Sequence, residues 1–299
     1  MHRRQFLRIT LPLVLAGKSH AAPAAEPVLR FGVIADAQYV DADPIATRFY
    51  RQSLGKLEQA IAELNRHELD FTVTLGDLID RDFASFAPVM ERYAKLRSPH
   101  HPILGNHDFS VAPADKAKVL AAIGMEKAYH SRVIKGWRLV FLDGTDTTPW
   151  RQTQDNPRTA MAQAVLEKMA AKINRRLEAG DTALGATQLA WLEKELTAAQ
   201  AAGETVILFN HYPVFPAVPP NLLDAAEIVA LIDRFPNVAA WMNGHNHRGN
   251  YQRKGHCHYV NFKGMVETEK DNAYATVQCF PDRLVITGMG LEPARNLVR

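Results

Sequence analysis

Five short apolar runs in this chain each break off into side chains of the kind that bind metal ions. The runs are Leu29–Ala35, Asp70–Leu75, Pro102–Leu104, Thr205–Phe209 and Val238–Met242. They are followed by Asp36-Ala37-Gln38, Gly76-Asp77-Leu78-Ile79-Asp80, Gly105-Asn106-His107-Asp108, Asn210-His211 and Gly244-His245-Asn246-His247. Runs rich in β-branched and aromatic residues, bounded by Gly, Asn and Asp, read as strands. Between them lie segments with apolar residues at helical spacing. The first places Ile45, Phe49, Leu54, Leu57, Ile61 and Leu64 on one face, with Asp43-Pro44 as N-cap and first helical residue. Another helix is expected from about Phe83 to Leu96. Strands alternating with helices specify a layered α/β fold. In an open α/β sheet ligands bind beyond the carboxyl ends of the strands. One strand ending in Asp or His is an ordinary turn. Five along one edge gather a site.

The rest of the chain reads more weakly. Ala128–His130 and Trp137–Leu142 pattern as a hairpin. Segments 160–177 and 186–201 are helical by spacing, and about 156–202 reads as a helical insert that packs on the domain or caps the site. A helix is expected over Leu222–Asp233. His256–Phe262 and Ala273–Phe280 read as two strands of a hairpin centred near Glu267–Thr268, which would set Cys257 opposite Cys279. Cross-strand bridges need special geometry, so two buried thiols are expected rather than a disulfide. His256 and His258 read as solvated edge residues, and His100-His101 as structural.

Charge separates the N-terminus from the rest. No acidic residue precedes Glu26, whereas Arg3, Arg4, Arg8 and Lys18 do. Without those four cations the formal net charge of +3 becomes −1. No nucleic-acid surface follows from such a balance. Paired arginines, the apolar stretch Ile9–Ala16 and small-residue sites near Ala21–Ala24 have the layout of a twin-arginine export signal. Residues 1–24 are therefore expected to address the chain through that export machinery to the periplasm or beyond, leaving a domain over 25–299. No later stretch is long and apolar enough to span a membrane.

The strand-end set offers carboxylate, amide oxygen and imidazole, with no thiolate. It suits hard to borderline ions such as Mn, Fe, Zn or Mg. Seven ligands exceed one tetrahedral ion but fit two ions sharing a carboxylate. Two ions about 3.5–4 Å apart lower the pKa of a bridging water and bind phosphoryl oxygens during in-line displacement at phosphorus. His107, beside Asn106, is then placed to protonate the leaving oxygen, with Asp80 or Asp108 to orient it. Tyr39 and Tyr212 flank the motifs and are candidates to stack on a base. Arg248 is a candidate phosphate contact.

In chain order these motifs resemble the signature of calcineurin-like metallophosphoesterases. The resemblance implies a two-layer β-sandwich flanked by helices. It also implies that Asp36, Gln38, Asp77 and His247 hold one metal and that Asp77, Asn106, His211 and His245 hold the other. Most members carry Asp-x-His where this chain has Asp36-Ala37-Gln38. The Gln form is similar to the manganese-dependent ADP-ribose/CDP-alcohol diphosphatase family, as are Tyr50-Arg-Gln-Ser-Leu54 and Tyr259–Thr268. That implies Mn as the cofactor and a nucleoside diphosphate linked to a sugar or alcohol as the small-molecule substrate. General phosphodiesterase or phosphomonoesterase activity is the alternative.

Overall fold

The computed structural model describes residues 26–216 and 221–299, so the expected export signal lies outside the described residues. Two six-stranded sheets face each other. The first runs in the order β12-β11-β10-β1-β2-β3, built from β1 (Leu29–Ile34), β2 (Phe71–Thr74), β3 (His100–Pro102), β10 (Ala273–Cys279), β11 (Arg283–Gly290) and β12 (Arg295–Val298). The second runs β4-β5-β6-β7-β9-β8, built from β4 (His130–Ile134), β5 (Trp137–Phe141), β6 (Thr205–Phe209), β7 (Val238–Asn243), β8 (Asn250–Lys254) and β9 (Cys257–Asn261). β1, β2 and β3 are parallel, and so are β5, β6, β7 and β9.

Burial on both faces explains why β6 and β7 read as near-continuous apolar runs, whereas β2 alternates Phe71 and Val73 with the buried hydroxyls of Thr72 and Thr74. Every residue of β2 and β7 is buried. Between the sheets lies one core containing Phe31, Phe71, Phe141, Phe209, Met242 and Val277. Phe31 stacks on Phe71 at 4.8 Å and meets Phe209 edge-on at 5.6 Å. Each such side chain contributes about 1.5–3 kcal/mol by leaving water. Outside the first sheet pack α1 (Ser53–Leu64) and α2 (Phe86–Tyr93), through Leu57, Ile61, Leu64 and Val89. The short α3 (Val119–Ala122) joins the same cluster through Val119. Outside the second sheet pack α5 (Gly185–Ala201) and α6 (Ala225–Asp233), through Leu192, Leu196, Ile228 and Ile232. The architecture is therefore the expected sandwich between helical layers.

Three local expectations are corrected. The first helix begins at Ser53, not near Pro44. Residues 45–49 instead form a strap tied to a distant segment, since the Phe49 N–H donates to Val266 O at 2.9 Å and the Thr268 N–H to Thr47 O at 3.0 Å. Asp43 caps nothing and pairs with Arg51 at 2.6 Å. The two late strands do not form a hairpin: β9 belongs to the second sheet and β10 to the first. Cys257 and Cys279 are buried free thiols in different core clusters, as two thiols but not as neighbours. His258 is not solvated either. It lies on an inner strand, 1% exposed, with its ring nitrogens 3.0 Å from Tyr251 Oη and 3.0 Å from Val298 O. The expected insert contains α4 (Pro157–Lys172) followed by α5, with α4 packing on Ala183 and Leu223.

Candidate metal centre

All five strand ends converge. The first sheet delivers Asp36, Gln38, Asp77 and Asn106, and the second delivers His211, His245 and His247. The turns that aim them are strained. Asp36, Gln38, Asp77 and His245 have φ of 51°, 42°, 52° and 68° without being glycine. Such residues cost of order 1–3 kcal/mol each and persist where the surroundings over-determine them. Here the backbone itself is bonded across the turns: the Gln38 N–H donates to Asp77 O at 2.8 Å and the Gly244 N–H to His211 O at 3.1 Å. Gly105 is needed for proximity rather than for turning, because a Cβ there would collide with Asp77.

The atoms facing one another are mostly acceptors. His211 Nδ1 is 2.7 Å from Leu75 O, so the ring proton sits on Nδ1 and leaves Nε2 as a lone pair. That lone pair lies 3.3 Å from Asp77 Oδ2, 3.2 Å from Asn106 Oδ1 and 3.1 Å from His245 Nδ1. Gln38 donates through Nε2 to Asp77 Oδ2 at 2.9 Å, while its Oε1 is buried with no hydrogen-bond partner among the described residues. Buried polar atoms are normally paired, and a cluster of lone pairs is stable only around positive charge. Burial opposes a second proton on His211, yet Asp77 and Asp36 push its pKa up to about 9. The carboxylates thus draw a cation to this spot. Ligand atoms of Asp77, His211 and His245 lie within 4.8 Å of one another, as do those of Asp36, Asp77 and His247. The two sets share Asp77. The donor set therefore fits a pair of divalent ions joined by one carboxylate.

His107 stands at the rim, its side chain 23% exposed where Asp77 is 1%. Its Nδ1 is 2.8 Å from Asp80 Oδ1, and Asp80 Oδ2 in turn is 2.5 Å from Arg81 Nε. Burial pulls the His107 pKa down, but Asp77 and the Asp80 hydrogen bond outweigh it and the net shift is upward. Asp80 is thus the carboxylate that holds His107.

Asp108 has a different job. Its carboxylate accepts from the backbone N–H groups of Leu78 at 2.8 Å, Gly105 at 2.9 Å, Asp77 at 3.2 Å and Ile79 at 3.3 Å. It clamps the two turns that carry the candidate ligands Asp77 and Asn106 together and has no lone pair left for His107. Asp108→Ala strands several buried donors at roughly 1–3 kcal/mol each, so a loss of about 3 kcal/mol or more is expected. Calorimetry should then record a melting temperature lower by at least about 6 °C.

The aromatic candidates are also rearranged. Tyr212 is 2% exposed and its ring lies 4.4 Å from that of His245 and 4.9 Å from that of His211. It backs the histidines and presents no face to a base. Tyr39 is part-buried, bridges to Ile79 and packs against the cluster under the first sheet. Arg248 is exposed and lines a cleft of about 710 Å³ beside His245 and His247. Three further residues of that cleft escaped the sequence reading: Arg48, Lys263 and Glu267. Glu267 Oε1 is 2.7 Å from His247 Nδ1, a contact across twenty positions that no local pattern signals.

A two-sheet sandwich with acid, amide and imidazole ligands at its strand ends defines a class. Residues 29–249 match the calcineurin-like phosphoesterase family, and the chain belongs to that family. It is accordingly a hydrolase of phosphoester bonds. Among individual proteins, the chain is 28% identical to a manganese-dependent ADP-ribose/CDP-alcohol diphosphatase from Oryza sativa subsp. japonica, over 92% of this chain and 95% of that one. It is 27% identical to the protein of the same name from Xenopus tropicalis, over 91% and 94%. A crystal structure of a dimetal phosphatase from Danio rerio superposes with a TM-score of 0.81 at 23% identity, covering 91% of this chain and 99% of that one.

Proposed function

We propose that the chain hydrolyses the diphosphate bond of nucleoside diphosphates linked to a sugar or alcohol, releasing a nucleoside monophosphate and a phosphorylated alcohol. The observation that carries this reading is the cleft beside the metal ligands, which is lined by Arg48, Arg248 and Lys263. A substrate with one phosphate needs only the ligand cluster. One with two adjacent phosphates needs further positive charge where this cleft supplies it. The relatives named above are diphosphatases of ADP-ribose and CDP-alcohols, which agrees.

In this proposal Asp36, Gln38, Asp77 and His247 hold one ion, and Asp77, Asn106, His211 and His245 hold the other. Two divalent ions would acidify an attacking water and bind the phosphoryl oxygens as charge builds. An amide oxygen in place of an imidazole at Gln38 favours Mn over Zn, and manganese stands in the names of the relatives. His107, held at Nδ1 by Asp80, delivers a proton to the leaving oxygen. Arg48, which lines the same cleft as His247, neutralises the phosphate that is not attacked.

A substrate panel with Mn tests the reading. ADP-ribose and CDP-choline should be turned over in preference to a nucleoside monophosphate, a cyclic nucleotide and a phospholipid. Faster hydrolysis of any of the last three overturns it. Lys263→Ala should raise KM for ADP-ribose about fivefold, the equivalent of ~1 kcal/mol for a screened charge contact. KM for bis-p-nitrophenyl phosphate, which has a single phosphorus, should not move.

The twin arginines Arg3 and Arg4 support export of the folded, metal-loaded chain and a role outside the cytoplasm. Cell fractionation of the full-length protein decides this: retention in the cytoplasm with an intact N-terminus overturns it.

A further inference from the structure

Lys56 is a cation that neither the fold nor the chemistry above has used. It lies on α1, is 3% exposed, and its ammonium donates to three backbone carbonyls: Met265 O at 2.8 Å, Glu267 O at 2.8 Å and Thr268 O at 2.6 Å. All three of its protons are thereby spoken for. Burying a charge is costly unless every bond is made, and burial pulls this pKa down to about 8. An exposed helix position would hold an ordinary lysine at no such cost.

What the ammonium gathers is the crossing from β9 to β10, residues 264–268. That segment is also stitched to the metal centre. The Met265 N–H donates to Ala35 O at 2.9 Å, the Val266 N–H to Asp36 O at 3.0 Å and the Gly264 N–H to His247 O at 3.1 Å. A Cβ on Gly264 would strike the His247 ring at 2.7 Å, so segment and imidazole are in close register. From this segment the Glu267 carboxylate reaches His247 Nδ1. A proton fixed on Nδ1 leaves Nε2 with a free lone pair, and Nε2 is the nitrogen 3.5 Å from Asp36 Oδ1 and 3.3 Å from Gln38 Nε2.

We propose that Glu267 is a positioning residue for His247, fixing its tautomer and ring orientation, and that Lys56 sets Glu267 by clamping the carbonyls of the segment that carries it. The proposal rests on His247 being a metal ligand, but not on the identity of the substrate.

The test is titration of metal-free protein with Mn(II) alone, followed by calorimetry and by the electron paramagnetic resonance signal of free Mn(II). Glu267→Ala should weaken one of two sites by about 10- to 100-fold and leave the other unchanged. Glu267→Gln keeps an acceptor oxygen for the Nδ1 proton and should recover most of that loss. Lys56→Met should weaken the same site. Four outcomes overturn the proposal. Parent-like binding of both ions by Glu267→Ala is the first. Glu267→Gln must not be as weak as Glu267→Ala, which would make the effect one of charge alone. A Glu267→Ala loss spread over both sites with a lowered melting temperature would mark a merely structural role. His247→Ala must itself remove the affected site, and a variant that keeps both ions overturns the ligand assignment along with the positioning. Because no substrate is present, a failure of the diphosphatase reading shows only in the substrate panel and leaves these results intact.

Discussion

Asp77→Asn should lose both ions together while keeping its fold. The substitution preserves shape, so circular dichroism should match the parent, and elemental analysis should find neither metal at stoichiometry. Asp77 belongs to both ligand groups, with Oδ2 2.9 Å from Gln38 Nε2 and 3.3 Å from His211 Nε2. Burial pushes its pKa up, but His211, His107 and His245 outweigh it and keep the carboxylate ionised. An amide would offer one weak oxygen where two charged ones are needed. Loss of several kcal/mol of metal-derived stabilisation corresponds to a fall of about 10³-fold or more in turnover. Asp36→Asn, which touches one group only, should weaken a single site. An Asp77→Asn protein that still carries two equivalents of Mn would show that the ions are not joined through this residue.

His107→Ala should lower kcat by roughly 10²- to 10⁴-fold, the range of a general acid. The loss should be largest for a poor leaving group such as a sugar phosphate and smaller for p-nitrophenolate, which departs without a proton. Metal content should stay at the parent level, because His107 is bonded to Asp80 at 2.8 Å and stands outside both ligand groups. Equal losses on good and poor leaving groups would remove it from proton transfer.

Strand ends were the readable part of this molecule. A strand buried on both faces is largely apolar, and its carboxyl end is where the fold puts chemistry, so Asp36, Asp77, Asn106, His211, His245 and His247 stood out as candidate ligands, and the structure brings them together. Long-range ties were not readable. Ile45 and Phe49 have helical spacing with α1, yet residues 45–49 follow the bonds they make to 266–268. Cys257 and Cys279 sit in consecutive strands that go to opposite sheets, and nothing local distinguishes that crossing from a hairpin. Lys56 looks like any solvated helix lysine, and Glu267 like any loop carboxylate, until their partners are in place. Asp108 and Tyr212 had the right chemistry beside the right motifs, but their contacts bind them to the scaffold. The left-handed backbone at four candidate-ligand turns is not marked by glycine, which is absent from all four positions, although Asp and His adopt it more readily than most residues.

The candidate ligands come from both sheets, Asp36, Gln38, Asp77 and Asn106 from one and His211, His245 and His247 from the other. A bound ion pair is thus a rivet through the seam of the sandwich. Its binding free energy is also cohesion between the layers, about 2.7 kcal/mol for each ion present at a hundred times its dissociation constant. Neither half-sandwich can capture both ions alone. The full ligand set exists only when the two layers are closed, so metal capture and assembly of the sandwich are coupled.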